Sequence, residues 1–300
     1  MKKIIKRNIV VILILLIFSV IFLNADYEVM QEHKQTKEYR DTLVERCKEG
    51  NITDNEEKKF CESILNSKEI EVDFYTIFSE VLVWKVQYVY YLAFLIVVIP
   101  PMIQICKILK HKHIINSNSR ESYKMFLKKF FMTAYKYIWI LPLLCLILMI
   151  PLLMNFTLYP GYVEAYQTGL WSSNIIYHPV WFIILYLVYM VLVSILFVNI
   201  SLLVARKQQK FIPCMILSYI FYFAIEIFFE TVVRVIIIQR IFHSEFGMLF
   251  NILNIFTFQD LYGVGALLLL NLSFVLVSFV FVYLAYRNKE KLVMQCEKNK

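Results

Sequence analysis

The chain has 300 residues, of which 60% are hydrophobic and 18% are charged, against roughly 45–50% and about 25% in ordinary soluble domains. This excess, with only 6 Gly and 7 Pro, excludes a soluble fold of short strands and turns. The formal charge of +8 is typical of membrane proteins with basic cytoplasmic loops, so we expect no nucleic-acid partner. The six cysteines show no spacing typical of a metal site, and we predict none.

The first predicted element is a membrane helix at the N-terminus. Four basic residues among the first seven precede an apolar run over residues 8–23. A signal peptide has a similar pattern, but this run is longer than a signal-peptide core, and the residues before Asp26 form a poor cleavage site. We therefore predict that residues 1–24 form the cytoplasmic N-terminus and transmembrane helix 1.

Residues 25–80 form a hydrophilic segment with 15 acidic and 8 basic residues. We predict a small helical extracytoplasmic domain, with one helix that ends at Gly50 and a second that begins near Asp54. Cys47 and Cys61 flank the turn between these helices. A disulfide that closes this turn would stabilise the domain by about 3 kcal/mol. Two free thiols are the alternative.

Residues 81–286 are predicted to form five further membrane helices, which gives six in total. A crossing needs about 18 or more apolar residues, and within lipid the backbone of such a run must be helical. The apolar stretch 247–258 is too short to cross, and we interpret it as a re-entrant or interfacial element on the outer side. The predicted fold is an all-α bundle of six transmembrane helices, with the last five at 81–105, 132–155, 180–205, 211–233 and 263–286.

The distribution of Lys and Arg among the short loops predicts the orientation. The loop 106–131 has seven basic residues and one acidic residue, whereas the loop 156–179 has no Lys or Arg. The tail 287–300 is also basic. Because basic loops stay in the cytoplasm, we predict a multi-pass protein of the cell membrane with both termini inside.

The fifth predicted span carries three charged residues. Glu226, Glu230 and Arg234 recur every four residues, so an α-helix would place them on one face. From a helix start at Phe211, the rise of 1.5 Å per residue puts Glu226 about 22 Å into the membrane. Charges at that depth are costly and usually face a protein interior or a watery cavity. One interpretation is a salt bridge that seats the outer end of the helix; the other is a polar lining of a transport path or a subunit interface.

The sequence contains no nucleotide-binding or hydrolase motif, such as GxxxxGK[ST], HExxH or GxSxG. We therefore expect neither enzymatic activity nor a cofactor of its own. The loop 106–131 has a distinctive order: a basic amphipathic stretch, the pair Ser119-Arg120, then Tyr123, Lys128 and the return to the membrane.

This order resembles the bacterial permease subunits of type-2 exporter ATP-binding-cassette (ABC) transporters, as do the six spans and the apolar element at 247–258. The resemblance covers most of residues 81–286. It implies that Ser119, Arg120, Tyr123 and Lys128 couple the chain to separate cytoplasmic ATPase subunits, which bind the ATP. It also implies pairing with a second permease, identical or a sister, and export of an amphipathic peptide, lipid or drug; antimicrobial-peptide immunity is one family role. The acidic domain is a departure from many simple members and leaves the substrate class open.

Two other functions remain as alternatives. A membrane sensor or assembly protein would act through the extracytoplasmic domain. An intramembrane protease is the weaker alternative: residues 229–234 partly resemble a Glu-Glu-x-x-x-Arg motif, but Phe229 replaces the first Glu, and His243 is the only histidine nearby.

Overall fold

The computed structural model describes residues 2–48, 55–66, 73–109, 122–158, 177–243, 264–288, 290, 292 and 293. This part of the chain is almost entirely helical, and its only strand-like feature is one isolated bridge between Asp73 and Thr157. It contains six helices that are long and apolar enough to cross a membrane. The predicted class, an all-α multi-pass membrane protein, is therefore confirmed.

Nine α-helices make up the described bundle: α1 Lys2–Lys48, α2 Asn55–Asn66, α3 Phe74–Glu80, α4 Gln87–Ile108, α5 Tyr123–Ala134, α6 Ile140–Asn155, α7 Pro179–Ala205, α8 Phe211–Ile227 and α9 Val264–Tyr286. Two stretches are π-helical: Val81–Lys85 joins α3 to α4, and Phe228–Ile241 extends α8. A short 3₁₀ turn, Tyr135–Tyr137, separates α5 from α6, so the span predicted at 132–155 is interrupted near its start. The predicted re-entrant element at 247–258 lies outside the described residues.

Helix α1 crosses the predicted boundary between residues 24 and 25 without a break. Residues 25–48 contain no Gly or Pro and are rich in strong helix formers such as Glu, Lys and Arg, so nothing ends the helix there. Its 47 residues give a length of about 70 Å. Because a hydrocarbon core is only about 30 Å thick, the C-terminal part of α1 projects well beyond the membrane.

Helix α3 belongs to the bundle, although its residues were predicted as part of the extracytoplasmic domain. Asp73 caps its first turn by accepting a bond from the Thr76 backbone N–H at 2.9 Å. Phe74 and Phe78 are fully buried and stack with ring centroids 5.3 Å apart. Both also pack edge-to-face against Phe182 of α7. The aromatic side chains of this short helix therefore close the bundle where α7 begins.

One ion pair and one hydrogen bond attach the projecting part of α1 to the segment around α3. Lys85 Nζ lies 2.6 Å from Glu32 Oε1, and His33 Nε2 lies 2.8 Å from Glu80 Oε2. The hydrogen bond with Glu32 is the main cause that raises the pKa of Lys85. These contacts fix the base of the projection beside the bundle.

Helix α4 occupies the centre of the bundle and packs against α5, α6, α7 and α8. Helix α7 is the second central element, because it contacts α4, α6, α8 and α9. Helix α9 packs chiefly on α7, and α8 packs on α7 as well. The helices α7, α8 and α9 therefore form one side of the molecule, and the candidate site lies between them.

Candidate functional site

A cavity of about 450 Å³ lies between α7, α8 and α9. This volume falls within the range of roughly 300–1,000 Å³ that is usual for small-molecule sites. Most of the wall is apolar, with leucine, isoleucine, valine and phenylalanine side chains from all three helices. The polar side chains in the wall are few: Tyr189, Tyr222, Glu226, Asn271 and Ser278.

The cavity is a long groove that runs along the helices. Its wall extends from Tyr189 to Leu203 on α7 and from Leu267 to Phe281 on α9. Each of these stretches corresponds to about 21 Å of helix. Phe221 of α8 and Phe281 of α9 line the groove and are also exposed on the bundle surface. The groove therefore opens sideways, toward the lipid that surrounds the membrane-crossing helices.

Glu226 is the acidic side chain in this wall. The Tyr222 hydroxyl lies beside its carboxylate without a hydrogen bond of ordinary geometry. Across the groove, the side chains of Tyr189 and Asn271 are buried and lie beside each other. Within the described residues, no Lys, Arg or His forms an ion pair with Glu226. In this part of the chain, the carboxylate in the groove therefore has no cationic partner.

The other two charged residues of the predicted cluster lie outside the groove wall. Arg234 Nη1 donates a hydrogen bond to Glu230 Oε1, and the two form an ion pair. The prediction of one shared face assumed a regular α-helix, but the helix becomes π-helical after Ile227. Because a π-helix bonds residues five apart, its later side chains shift away from the α-helical face. Glu226 thereby lines the groove, while Glu230 and Arg234 form a separate pair.

A series of partly buried hydrogen bonds connects the groove wall to neighbouring elements. The Tyr135 hydroxyl donates to Asn199 Oδ1 at 2.5 Å, and Asn199 Nδ2 donates to Ser278 Oγ at 2.8 Å. Ser278 is part of the groove wall, so this series connects the turn before α6 with α7 and α9. A satisfied polar network of this kind fixes the spacing of the helices that it joins.

Tyr123 contacts the C-terminal end of α9. It is the one predicted coupling residue for which the described part of the chain shows a contact with a groove helix. Its hydroxyl donates to the backbone oxygen of Tyr286, at the end of α9. The Tyr286 hydroxyl in turn donates to the Leu202 backbone oxygen of α7 at 2.8 Å. Lys128 lies on the exposed face of α5, opposite the buried Phe126 and Phe130. Ser119 and Arg120 lie outside the described residues.

Cys47 and Cys61 are joined by a disulfide, with their Cα atoms 5.4 Å apart. The bond joins the C-terminal end of α1 to α2. We call this disulfide-linked pair of helical segments the clasped hairpin. Of the two alternatives that the sequence left open, the structure has the bonded one.

Sequence reasoning missed Tyr189, Asn199 and Asn271 as site residues. An asparagine within a membrane helix is costly unless its amide is hydrogen bonded. Asn199 and Asn271 each interrupt a long apolar run, and that signal was available. The hydrogen-bond partners of these asparagines could not be predicted, because the pairing of α7 with α9 brings together residues about 80 positions apart.

Comparison of the chain with protein families, with curated proteins and with solved structures found no match in any of the three.

Proposed function

We propose that this chain is the permease subunit of an ABC exporter in a bacterial cell membrane, working with separate ATPase subunits and a second permease. The observation that carries the proposal is the groove: a long apolar cavity within the membrane-crossing helices that opens toward lipid and contains a carboxylate with no cationic partner among the described residues. An amphipathic molecule enters such a site from the bilayer. The chain has no ATP-binding motif, so another subunit supplies the energy.

The contacts of α5 give this proposal a mechanical basis. Tyr123 lies within the predicted coupling loop 106–131, at the start of α5, and its hydroxyl bonds to α9. Tyr286 then bonds α9 to α7. Helices α7 and α9 are two of the three walls of the groove, so a displacement of α5 by an ATPase shifts α9 against α7. The exposed Lys124 and Lys128 of α5 are available to acidic groups of the ATPase or to anionic lipid headgroups.

Co-purification in mild detergent tests the proposal. We expect a cytoplasmic ATPase to be retained with the chain, and to be lost when Ser119 and Arg120 are both replaced by Ala. Arg40→Ala, which removes an arginine from the projecting part of α1, is the matched control and should retain the ATPase. The proposal is wrong if no ATPase is retained, or if the double variant retains it as well as the control does.

The clasped hairpin favours a second candidate, a sensor or assembly protein that binds its partner outside the membrane. The disulfide joins α2 to the C-terminal part of α1, and α1 is longer than a membrane crossing requires. This function predicts a partner that is lost when Cys47 and Cys61 are replaced by Ser and is kept when Arg120 is replaced by Ala. The permease predicts the reverse pattern. The intramembrane protease has no comparable support, since Glu230 is paired with Arg234 and His243 lies exposed beyond the π-helix.

A further inference from the structure

We infer that the groove binds an elongated hydrophobic molecule with one positive charge, whose cationic group lies at Glu226 and whose apolar part lies along α7 and α9. The inference rests on the proposed function, because it names the class of substrate that the exporter carries.

The charge of the ligand follows from the groups around Glu226. Glu230 is neutralised by Arg234 in the described ion pair, whereas Glu226 has no cation beside it in the part of the chain that the structure describes. A carboxylate among apolar walls at membrane depth costs at least a few kcal/mol. A ligand with a single positive charge offsets that cost. An uncharged ligand leaves the cost in place, and an anionic ligand increases it.

The chemistry of the cationic group follows from the aromatic side chains in the wall. Phe229 and Phe274 pack edge-to-face at 5.0 Å between ring centroids, and Tyr222 lies beside the carboxylate. Aromatic faces attract cations and are the usual recognition element for quaternary ammonium groups. The nearby polar side chains of Tyr189 and Asn271 are buried and lie beside each other. An N-methylated ammonium, which needs no hydrogen-bond acceptor, therefore suits the site.

The shape of the ligand follows from the direction of the groove. From the level of Glu226, the apolar wall continues along α7 to Leu203 and along α9 to Phe281. Leu203 is two residues from the end of α7, and Phe281 is five residues from the end of α9. The predicted orientation places both ends at the cytoplasmic side. A hydrocarbon chain thus extends from Glu226 toward the inner leaflet, with Leu196 and Ile200 along its length.

Equilibrium binding to the purified full-length chain in nanodiscs of uncharged lipid tests this inference. The probes are radiolabelled dodecyltrimethylammonium, dodecanol and dodecyl sulfate, which share one chain length and differ in charge. Empty nanodiscs give the partitioning into lipid, which is subtracted. We expect saturable binding of the ammonium probe, at least tenfold tighter than binding of dodecanol, and no saturable binding of dodecyl sulfate.

Three variants locate the binding. Glu226→Gln should weaken binding of the ammonium probe at least tenfold and leave dodecanol binding within twofold. Glu32→Gln removes an exposed carboxylate from α1 and should change neither. Val277→Trp fills the groove at an exposed position that tolerates a large side chain, and should weaken both probes. Equal binding of the ammonium probe by Glu226→Gln and the wild type, or tight binding of dodecyl sulfate, would overturn the inference.

The outcome is separable from that of the proposed function, because binding is measured without an ATPase or ATP. Suppose that an ATPase is retained in an Arg120-dependent way and that the ammonium probe binds no more tightly than dodecanol. This result would support the permease and reject this substrate class. Binding that depends on Glu226 without any retained ATPase would support the cation site and reject the exporter.

Discussion

Helix α4 and the pair α8 and α9 are all apolar enough to cross a membrane, but they differ in how far the bundle encloses them. In the most apolar stretch of α4, 67% of the residues are buried, whereas the corresponding value is 22% for the span that contains α8 and for α9. Helix α4 packs against neighbours on several sides, while α9 depends chiefly on α7.

This difference divides the bundle into a frame and a mobile side. The frame consists of α3, α4, α6 and α7, whose buried hydrophobic side chains pack together in the interior. Regions with few buried contacts open at low free energy and are the ones that move in binding and transport. The groove with its carboxylate lies on the side formed by α8 and α9, against the wall of α7. We therefore expect the frame to supply most of the stability and the less enclosed side to carry the proposed function.

Truncation of an aromatic side chain should separate the two regions most strongly. Phe182 is fully buried in the frame, so Phe182→Ala should reduce the free energy of unfolding by about 3–5 kcal/mol. Phe281 borders the groove and is 58% exposed, so Phe281→Ala should cost about 0.5 kcal/mol or less. Thermal unfolding in nanodiscs measures both. Equal shifts in the midpoint would contradict the division into frame and mobile side.

Loss of the disulfide should affect the hairpin and leave the frame intact. Replacing Cys47 and Cys61 by Ser should destabilise the hairpin by about 3 kcal/mol, because the closed loop loses its constraint. External protease should then cut between α1 and α2 in intact cells, with the uncut wild type as control. The thermal midpoint of the membrane-crossing bundle should stay the same. A fall in that midpoint would show that the hairpin contributes to the stability of the membrane-crossing bundle.

Asp26 of α1 should be a site where a substitution stabilises the bundle. Its side chain is 1% exposed, and neither carboxylate oxygen has a hydrogen-bond partner among the described residues. A buried polar group without a partner costs about 1–3 kcal/mol, so Asp26→Leu should raise the free energy of unfolding by a similar amount. Asp26→Asn keeps a polar group in place and should give a smaller gain. A lower midpoint for Asp26→Leu would mean that the carboxylate has a partner in the working protein.

The ion pair at the base of α1 should contribute least. Lys85→Met removes the contact with Glu32, and exposed pairs of this kind are worth roughly 0.2–1 kcal/mol. Lys34→Met, which removes a looser pair with Glu38 at 3.9 Å, is the control and should have less effect. The difference between these variants should vanish at high salt, where exposed charges are screened. A large effect of Lys85→Met that persists at high salt would place this pair in the frame.

The number and class of the helices were predictable because they depend on local properties. Apolar runs long enough to cross a bilayer stand out in composition alone, and six apolar helices are present in the described residues. Two predicted spans are interrupted near their starts: the span at 81–105 has a bend at Val86, and the span at 132–155 has a 3₁₀ turn at Tyr135–Tyr137. Neither interruption has a clear signal in an apolar sequence.

The arrangement of the site was less predictable because it depends on contacts between distant segments. Glu230 and Arg234 leave the face of Glu226 only because the helix becomes π-helical, and the four-residue spacing gave no sign of this change. The burial of α3 requires Phe182, which lies about 100 residues further along the chain. The groove requires α7 to pack against both α8 and α9.

The central claim, that the groove carries a substrate driven by a partner ATPase, is tested most directly by transport in proteoliposomes. The chain is reconstituted with its co-purified ATPase, and accumulation of radiolabelled dodecyltrimethylammonium is measured with and without external ATP. We predict ATP-dependent accumulation that is abolished in Glu226→Gln and retained in Glu32→Gln. Accumulation that is independent of ATP, or equal in the two variants, would contradict the account.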